Sequence, residues 1–345
     1  MDGKHRTTIG DVATEAGVSI STVSRVINDN YPVSSKTRVK VEKAIKKLKF
    51  NPNMVARSLI AKKTNTVGIV VPGITNMFFT MVVKGIENAC RLRNYTILLS
   101  DSEGDGHREV ECVQNLISRQ VDGIVIADPV TENMIRLKYD EIAQHTALVF
   151  INGYAADSNM NYVLNDESEG ALKALEYLIG LGHKDIRLIR GNRSYSYDIK
   201  ENVYRDTMAE HKLAIGKQSI INVGDGNSVE TVDNASKVVY SILKGSVKPT
   251  AFFACNDLMA VGALNGCKKA GVVVPDDISI IGFDGIMISE ISEPKLTTVD
   301  QNMFELGNRS ALMLIDIIEN NAANGQKIVL KTQLKLRDSC SPPKC

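Results

Sequence analysis

The chain has 345 residues, 43% apolar and 23% charged, with a net charge of +1: the composition of a globular protein large enough for two or three domains. No run of 18 apolar residues occurs, and the opening "MDGKHRTT" carries no apolar stretch, which speaks against a membrane span or an export signal and for a cytoplasmic protein. Residues 1–63 hold 13 Lys/Arg against 5 Asp/Glu, and the remainder 28 against 35, so a basic head suited to a polyanionic partner sits on a mildly acidic body.

The first elements lie in "TIGDVATEAGVSISTVSRVIN", residues 8–28. Thr8 and Asp11 stand at capping-box spacing, Val12, Ala13 and Ala16 form one apolar face, and Gly17 is a natural helix C-cap. Ser19 is placed to cap a second helix in which Val23, Val26 and Ile27 recur at helical spacing. Two short helices joined by a tight glycine turn make a helix-turn-helix. Ile20, Ser21, Thr22, Ser24, Arg25 and Asn28 are left off the apolar face, able to reach a groove floor or a phosphate. A third helix, capped by Ser34 or Ser35, sets Val39, Val41, Ile45 and Leu48 against a lysine-rich remainder and closes the small core. "NPNMVARSLIAKKT", residues 51–64, has a short helical pattern but the composition of a linker.

The run "TIGDVATEAGVSISTVSRVIN…VSSKTRVKVEKAIKKLKFNPNMVARSL" closely resembles the headpiece and hinge of the lactose/galactose repressor (LacI) family of bacterial transcription regulators. The resemblance implies that the second helix enters the major groove, with Ile20, Ser21 and Arg25 as base readers and Thr8, Ser19, Thr22, Ser24 and Asn28 among the DNA contacts. It further implies a hinge that becomes helical on operator DNA, with Arg57 near the duplex and Leu59 wedged between base pairs. Arg25 is chemically the best reader, because a guanidinium can bond guanine O6 and N7 together. An apolar wedge offsets unstacking by bending the duplex onto more protein surface.

From Thr66 the chain alternates: "TVGIVVP", a helix at 78–93, "YTILLSD", a helix near 109–120, "VDGIVIAD" and "TALVFIN". It resumes with "HKDIRLIRG", helices near 198–211 and 229–243, "TAFFACND", a helix to Ala270 and "DISIIGFD". Near-continuous apolar strands between amphipathic helices predict parallel sheets covered on both faces, here in two α/β subdomains. In open sheets of this kind ligands bind beyond the carboxyl ends of the strands. The residues there are polar: Asn76, Asp128, Asn152, Asn256, Asp257 and Asp284. Amides and carboxylates on facing loops suit a neutral polyhydroxylated ligand, with Phe78 and Phe79 against an apolar face. The alternative is that these residues cap the helices that follow, a reading strongest for Asp128 and Asp257.

"ALEYLIGLGHKDIRLIRG", "PTAFFACNDLMAVGAL", "GVVVPDDISIIGFD" and "PKLTTVDQ" extend the resemblance through the body, whose fold is similar in turn to periplasmic sugar-binding proteins. The resemblance implies an α/β protein with an all-α headpiece at 1–50, a hinge helix and linker at 51–65, and a core at 66–345 of two doubly wound parallel-sheet subdomains. The N-subdomain would comprise 66–165 plus 300–328, and the C-subdomain 166–299 plus 329–340. It implies effector contacts at Asn76, Phe78, Phe79, Asn152, Lys200, Asn256, Asp284 and Gln301. Where the family has an arginine in an R-x-x-G-[FYW] pattern, this chain reads "KENVY", with Lys200 and no glycine. A lysine is a point charge where the arginine is a bidentate fork.

An enzyme is disfavoured: "GITNMFF" is not a dinucleotide fingerprint, no phosphate-loop motif occurs, and His5, His107, His145, His183 and His211 have neither metal nor triad spacing. His183 reads as a loop residue. Six cysteines (Cys90, Cys112, Cys255, Cys267, Cys340, Cys345) without a CxxC pair argue against zinc and disulfides, Cys340 and Cys345 falling in an exposed tail. That tail, "RDSCSPPKC", has no heptads for a tetramer. A transport binding protein would share the body's fold but have no use for the basic head. The expectation is a dimeric DNA-binding regulator, a repressor, without cofactor or metal, that binds operator DNA and is controlled by a sugar-like effector. The alternative is a co-repressor- or partner-dependent global regulator whose effector site has drifted.

Overall fold

The computed structural model describes residues 7–28, 31–50, 63–136, 139–153, 159–192, 194–224, 226–320, 322 and 324–344. Arg57 and Leu59 lie outside the described residues, as does the side chain of Asn28. The chain divides into two units, residues 1–64 and 65–345.

In the first unit, α1 (Ile9–Ala16), α2 (Ile20–Asn28) and α3 (Ser35–Lys47) enclose a core of Val12, Ala13, Ala16, Val23, Val26, Val41 and Ala44. The end signals act as the sequence predicts. The Thr8 amide donates to Asp11 Oδ2 at 2.7 Å and the Asp11 amide to Thr8 Oγ1 at 3.3 Å. Gly17 takes φ 62°, Ser19 Oγ accepts from the Thr22 amide, and Ser34, rather than Ser35, caps α3. Val39 departs from expectation. It is 48% exposed, because the buried stripe of α3 runs through 41, 44, 45 and 48 and Val39 falls two residues before it, on another face.

The second unit holds β1 (Thr66–Val71), α4 (Met77–Leu92), β2 (Thr96–Asp101), α5 (Gly106–Ser118), β3 (Gly123–Ala127), α6 (Thr131–Ile135), α7 (Asp140–Ala143), β4 (Ala147–Ile151) and β5 (Asn161–Asn165). It continues with α8 (Glu167–Gly180), β6 (Ile186–Arg190), α9 (Tyr195–Glu210), β7 (Ile220–Asn222), α10 (Glu230–Leu243), β8 (Ala251–Ala254), α11 (Asp257–Ala270), β9 (Ser279–Asp284), α12 (Ile288–Ile291) and β10 (Thr297–Asp300). The last elements are α13 (Met303–Asn320), β11 (Lys327–Leu330) and β12 (Gln333–Lys335).

Two six-stranded sheets result, ordered β11-β5-β4-β3-β1-β2 and β12-β10-β9-β8-β6-β7. Every pairing is parallel except β12 with β10. The chain passes between sheets after β5, after β10 and between β11 and β12. The third passage falls later than the expected boundary at 328–329, because Val329 and Leu330 pair with Leu164 and Asn165 in the first sheet. Asp300, likewise, pairs with Asp284 in the second sheet.

The C-terminal segment is packed against the second sheet where the sequence reading had an exposed tail. Ser339 is buried, with its carbonyl accepting from the Ile280 amide at 2.8 Å and its hydroxyl from the Thr297 amide at 2.8 Å. Cys340 is half-buried against the core of the second sheet. The segment is therefore a strap along β9 and β10. Buried His183 anchors it, its Nε2 lying 2.9 Å from both Ser279 Oγ and the Ser341 carbonyl. Cys345 lies outside the described residues.

Candidate functional site

The outer face of α2 presents Ile20, 55% exposed, with Ser21 and Arg25 exposed and Thr22 and Ser24 half-buried. The Arg25 guanidinium carbon stands 4.9 Å from the centroid of the Tyr31 ring, a stacked cation that holds the side chain off the headpiece core. Ser19 and Thr8 cap α2 and α1, so their hydroxyls are committed to helix ends.

In the second unit, the carboxyl ends of the two sheets line a common cleft. Asn76, Phe78, Phe79, Asp128 and Asn152 come from the first sheet's loops. Ser196, Tyr197, Lys200, Asn227, Asn256 and Asp284 come from the second's, and Glu167 and Gln301 from passages between the sheets, after β5 and β10. Every effector residue expected from sequence is among them. Three strand-end residues, Asp128 (φ 45°), Asn152 (φ 55°) and Asp284 (φ 110°), have left-handed backbone, a conformation uncommon outside glycine and concentrated at functional positions.

Helix capping and cleft lining prove compatible. Asn76 Oδ1 caps α4 through the Phe78 amide at 2.9 Å, leaving Nδ2 to reach Asn227 Oδ1 at 3.3 Å across the cleft. Asn256 Oδ1 caps α11 through the Met259 amide, and its Nδ2 donates to the Gly226 carbonyl at 2.7 Å. The capping reading fails where it was strongest. Asp257 instead accepts from the Thr298 hydroxyl at 2.6 Å and the Ile286 amide at 2.9 Å, a fully buried structural carboxyl. Asp128 caps nothing and faces the cleft. Its loop is held from below by buried Glu109, which accepts from the Val130 amide, Asn133 Nδ2 and the Tyr139 hydroxyl.

A chain of side chains links the two sheets. Asn152 Oδ1 accepts from the Asn165 amide at 3.0 Å, Asn165 Nδ2 donates to Gln301 Oε1 at 2.9 Å, and Gln301 Nε2 donates to Asp284 Oδ1 at 2.7 Å. Phe78 and Phe79 meet edge to face, centroids 5.1 Å apart, at the apolar wall. Burial pushes the Asp128 carboxyl up to about 7 and raises that of Asp284 as well. Burial also raises the Cys255 thiol to about 12, leaving it protonated and unreactive. The space at the centre is a cavity of about 30 Å³, and a chamber of about 290 Å³ opens beside it, walled by Asn165, Tyr195, Ile199 and Lys327.

Residues 8–53 match the bacterial regulatory proteins, lacI family, and residues 175–340 match the periplasmic binding protein-like domain. Catabolite control protein A of Priestia megaterium is 34% identical over 336 residues, 96% of this chain and 98% of that one. The ribose operon repressor of Haemophilus influenzae is 32% identical over 96% of this chain and 98% of its own length. This chain belongs to the lacI family.

The crystal structure of the Lac repressor dimer bound to operator and the anti-inducer ONPF superposes with a TM-score of 0.88 at 26% identity, covering 98% of this chain and all of that one. This lacI-family protein is accordingly a DNA-binding transcription regulator and not an enzyme. Among its described residues no group of three or more His, Cys, Asp or Glu could hold a metal ion, and no helix is long and apolar enough to cross a membrane.

Within this lacI-family core, sequence reasoning passed over Glu167, Ser196, Tyr197 and Asn227. Ser196 and Tyr197 follow strand "IRLIR" and answer to the same strand-end rule that found Asn76. Glu167 follows "NYVLN", a strand whose internal polar residues masked it.

Proposed function

We propose that this lacI-family protein is a homodimeric cytoplasmic repressor of transcription that binds a pseudo-palindromic operator through α2 and is controlled by a sugar or sugar derivative in the cleft. The observation that carries the reading is the pairing, in one chain, of an outward-facing Ile20/Ser21/Arg25 surface with a polar cleft supplied by both sheets. Asn76, Asn152, Asn256, Asp284 and Gln301 offer paired donors and acceptors to hydroxyls, and the two phenylalanines offer a face. Effector binding acts by linkage. A ligand that favours one arrangement of the sheets changes the spacing of two headpieces in a dimer, by no more than its differential affinity. The Lac repressor relative, bound as a dimer to operator with an anti-inducer, supports this assignment of parts.

One observation favours a second reading. The central cavity has room for about two waters, and Lys200, at the family's arginine position, is occupied by Glu167. A regulator answering to a co-repressor or a protein partner would tolerate such a site.

Fluorescence anisotropy on duplexes selected from a random pool tests both. The protein is expected to bind symmetric half-sites as a dimer. Arg25→Ala should lose about 1–3 kcal/mol and relax preference at one base pair per half-site; retention of both affinity and preference removes α2 as the reading helix. Leu59→Ala should reduce operator bending without lowering the melting temperature of the free protein. Asp284→Asn should blunt the response to sugars while operator binding persists. If no sugar alters operator affinity, the second reading stands.

A further inference from the structure

The charge inside the cleft narrows the class of ligand, on the reading that the cleft is the effector site. Three carboxyl groups reach the central cavity, from Asp128, Glu167 and Asp284, and among the described lining residues a single ammonium, Lys200, faces them. Lys200 is committed already: Nζ lies 2.6 Å from Ser196 Oγ, 3.3 Å from Glu167 Oε2 and 4.1 Å from the centroid of the Phe283 ring. Nearby Arg190 is matched by Asp198 and Glu201. Arg193 and Asp225, of opposite charge, lie outside the described residues. Lys327 stands exposed on the wall of the adjoining chamber, where water screens it.

An anionic ligand would have to share Lys200 with Glu167 and sit among the carboxyl groups of Asp128, Glu167 and Asp284, a costly arrangement in a buried cleft. The opposite charge meets no such obstacle. Asp128 receives no hydrogen bond among the described residues, and Asp284 receives one, from Gln301, on Oδ1. Both side chains line the cavity, and Asp284 is nine-tenths buried.

We propose that the effector is a hydroxylated molecule bearing a protonated amine, an amino sugar in class, whose ammonium pairs with the Asp128 carboxylate while its hydroxyls meet Asn76, Asn152, Asn256 and Asp284. Charge-assisted hydrogen bonds in a low-dielectric cleft are the strong ones. The carboxyl of Asp128, raised by burial and by the charge of Glu167, is partly protonated near neutral pH, so seating an ammonium there ionises it and releases a proton.

The test is isothermal titration calorimetry of the full chain at pH 6 and pH 8 with glucose, galactose and mannose, each beside its 2-amino-2-deoxy form and its 6-phosphate. At least one amino sugar is expected to bind about tenfold or more tighter than its neutral parent, with protons released at pH 6 in buffers of different ionisation enthalpy. Asp128→Asn, which keeps a residue tolerant of the left-handed backbone, should abolish that preference. A phosphate or a neutral parent that binds as well as the amino form overturns the inference and leaves the cleft a sugar site. Retention of the amino preference in Asp128→Asn overturns the role of Asp128. Failure of all nine ligands to bind overturns the sugar-site reading itself, and the inference with it.

Discussion

Gln301 Nε2 donates to Asp284 Oδ1 at 2.7 Å while its Oε1 accepts from Asn165 at 2.9 Å, so one side chain at a passage between the sheets ties a strand end of each to the other. Gln301→Ala leaves the buried Asp284 carboxyl without its donor and Asn165 Nδ2 without its acceptor. The expected loss is about 1–3 kcal/mol in urea unfolding. Operator affinity should hold while its response to effector weakens, measured by anisotropy with and without ligand.

The buried pair of Lys200 and Glu167, 1% and 5% exposed, sets up a second prediction. Lys200→Met strands the carboxylate and should cost about 3–5 kcal/mol, whereas Lys200→Met with Glu167→Leu should recover most of the loss, because two apolar side chains replace both charges. Thermal denaturation of the two variants checks it; a double variant as unstable as the single one would show that the pair is not the stabilising unit.

Stability should also carry the imprint of the raised carboxyls. Asp128 and Asp257 move from an ordinary 3.8 to about 7 in the folded protein, and Asp284 moves in the same direction. The folded state thus holds protons that the unfolded chain has released between about pH 4 and pH 7. The stability these groups contribute is present at the acid end of that window and declines as pH rises through it. Asp128→Asn should flatten the decline, and its advantage over the unaltered protein should grow from pH 5 to pH 8 in urea midpoints.

The two glycines that bring α4 against α13 set a packing limit. A Cβ on Gly85 would come within 2.0 Å of the Phe304 carbonyl oxygen, and one on Gly307 within 2.0 Å of the Val82 carbonyl oxygen. Backbone cannot give way as a side-chain tip can. Gly85→Ala or Gly307→Ala should destabilise the core by about 1–3 kcal/mol despite alanine's better helix propensity, read as a lowered melting temperature.

Local chemistry determined what the sequence by itself could determine. Thr8 with Asp11, Gly17, Ser19 and Ser34 set helix ends through contacts within a few residues, and the alternation of apolar strands with amphipathic helices announced two α/β sheets whose ends hold Asn76, Asn152, Asn256 and Asp284. Tertiary structure decided what depends on distant partners. The short strands β7, β11 and β12 have too few residues to carry a periodic signal and exist by pairing with neighbours. The strap around Ser339 and Cys340 looked like a polar tail because its bonds run to Ile280, Thr297 and His183. Lys200 read as an effector contact in place of the family's arginine until folding placed Glu167, 33 residues earlier, beside it. Asp128 read as a cap until the helix after it began elsewhere. The charge balance of the cleft is a sum over loops that only the fold brings together, so the sequence could name Asn76, Asn152, Asn256 and Asp284 but not the three carboxyl groups and one ammonium that meet among the described lining residues.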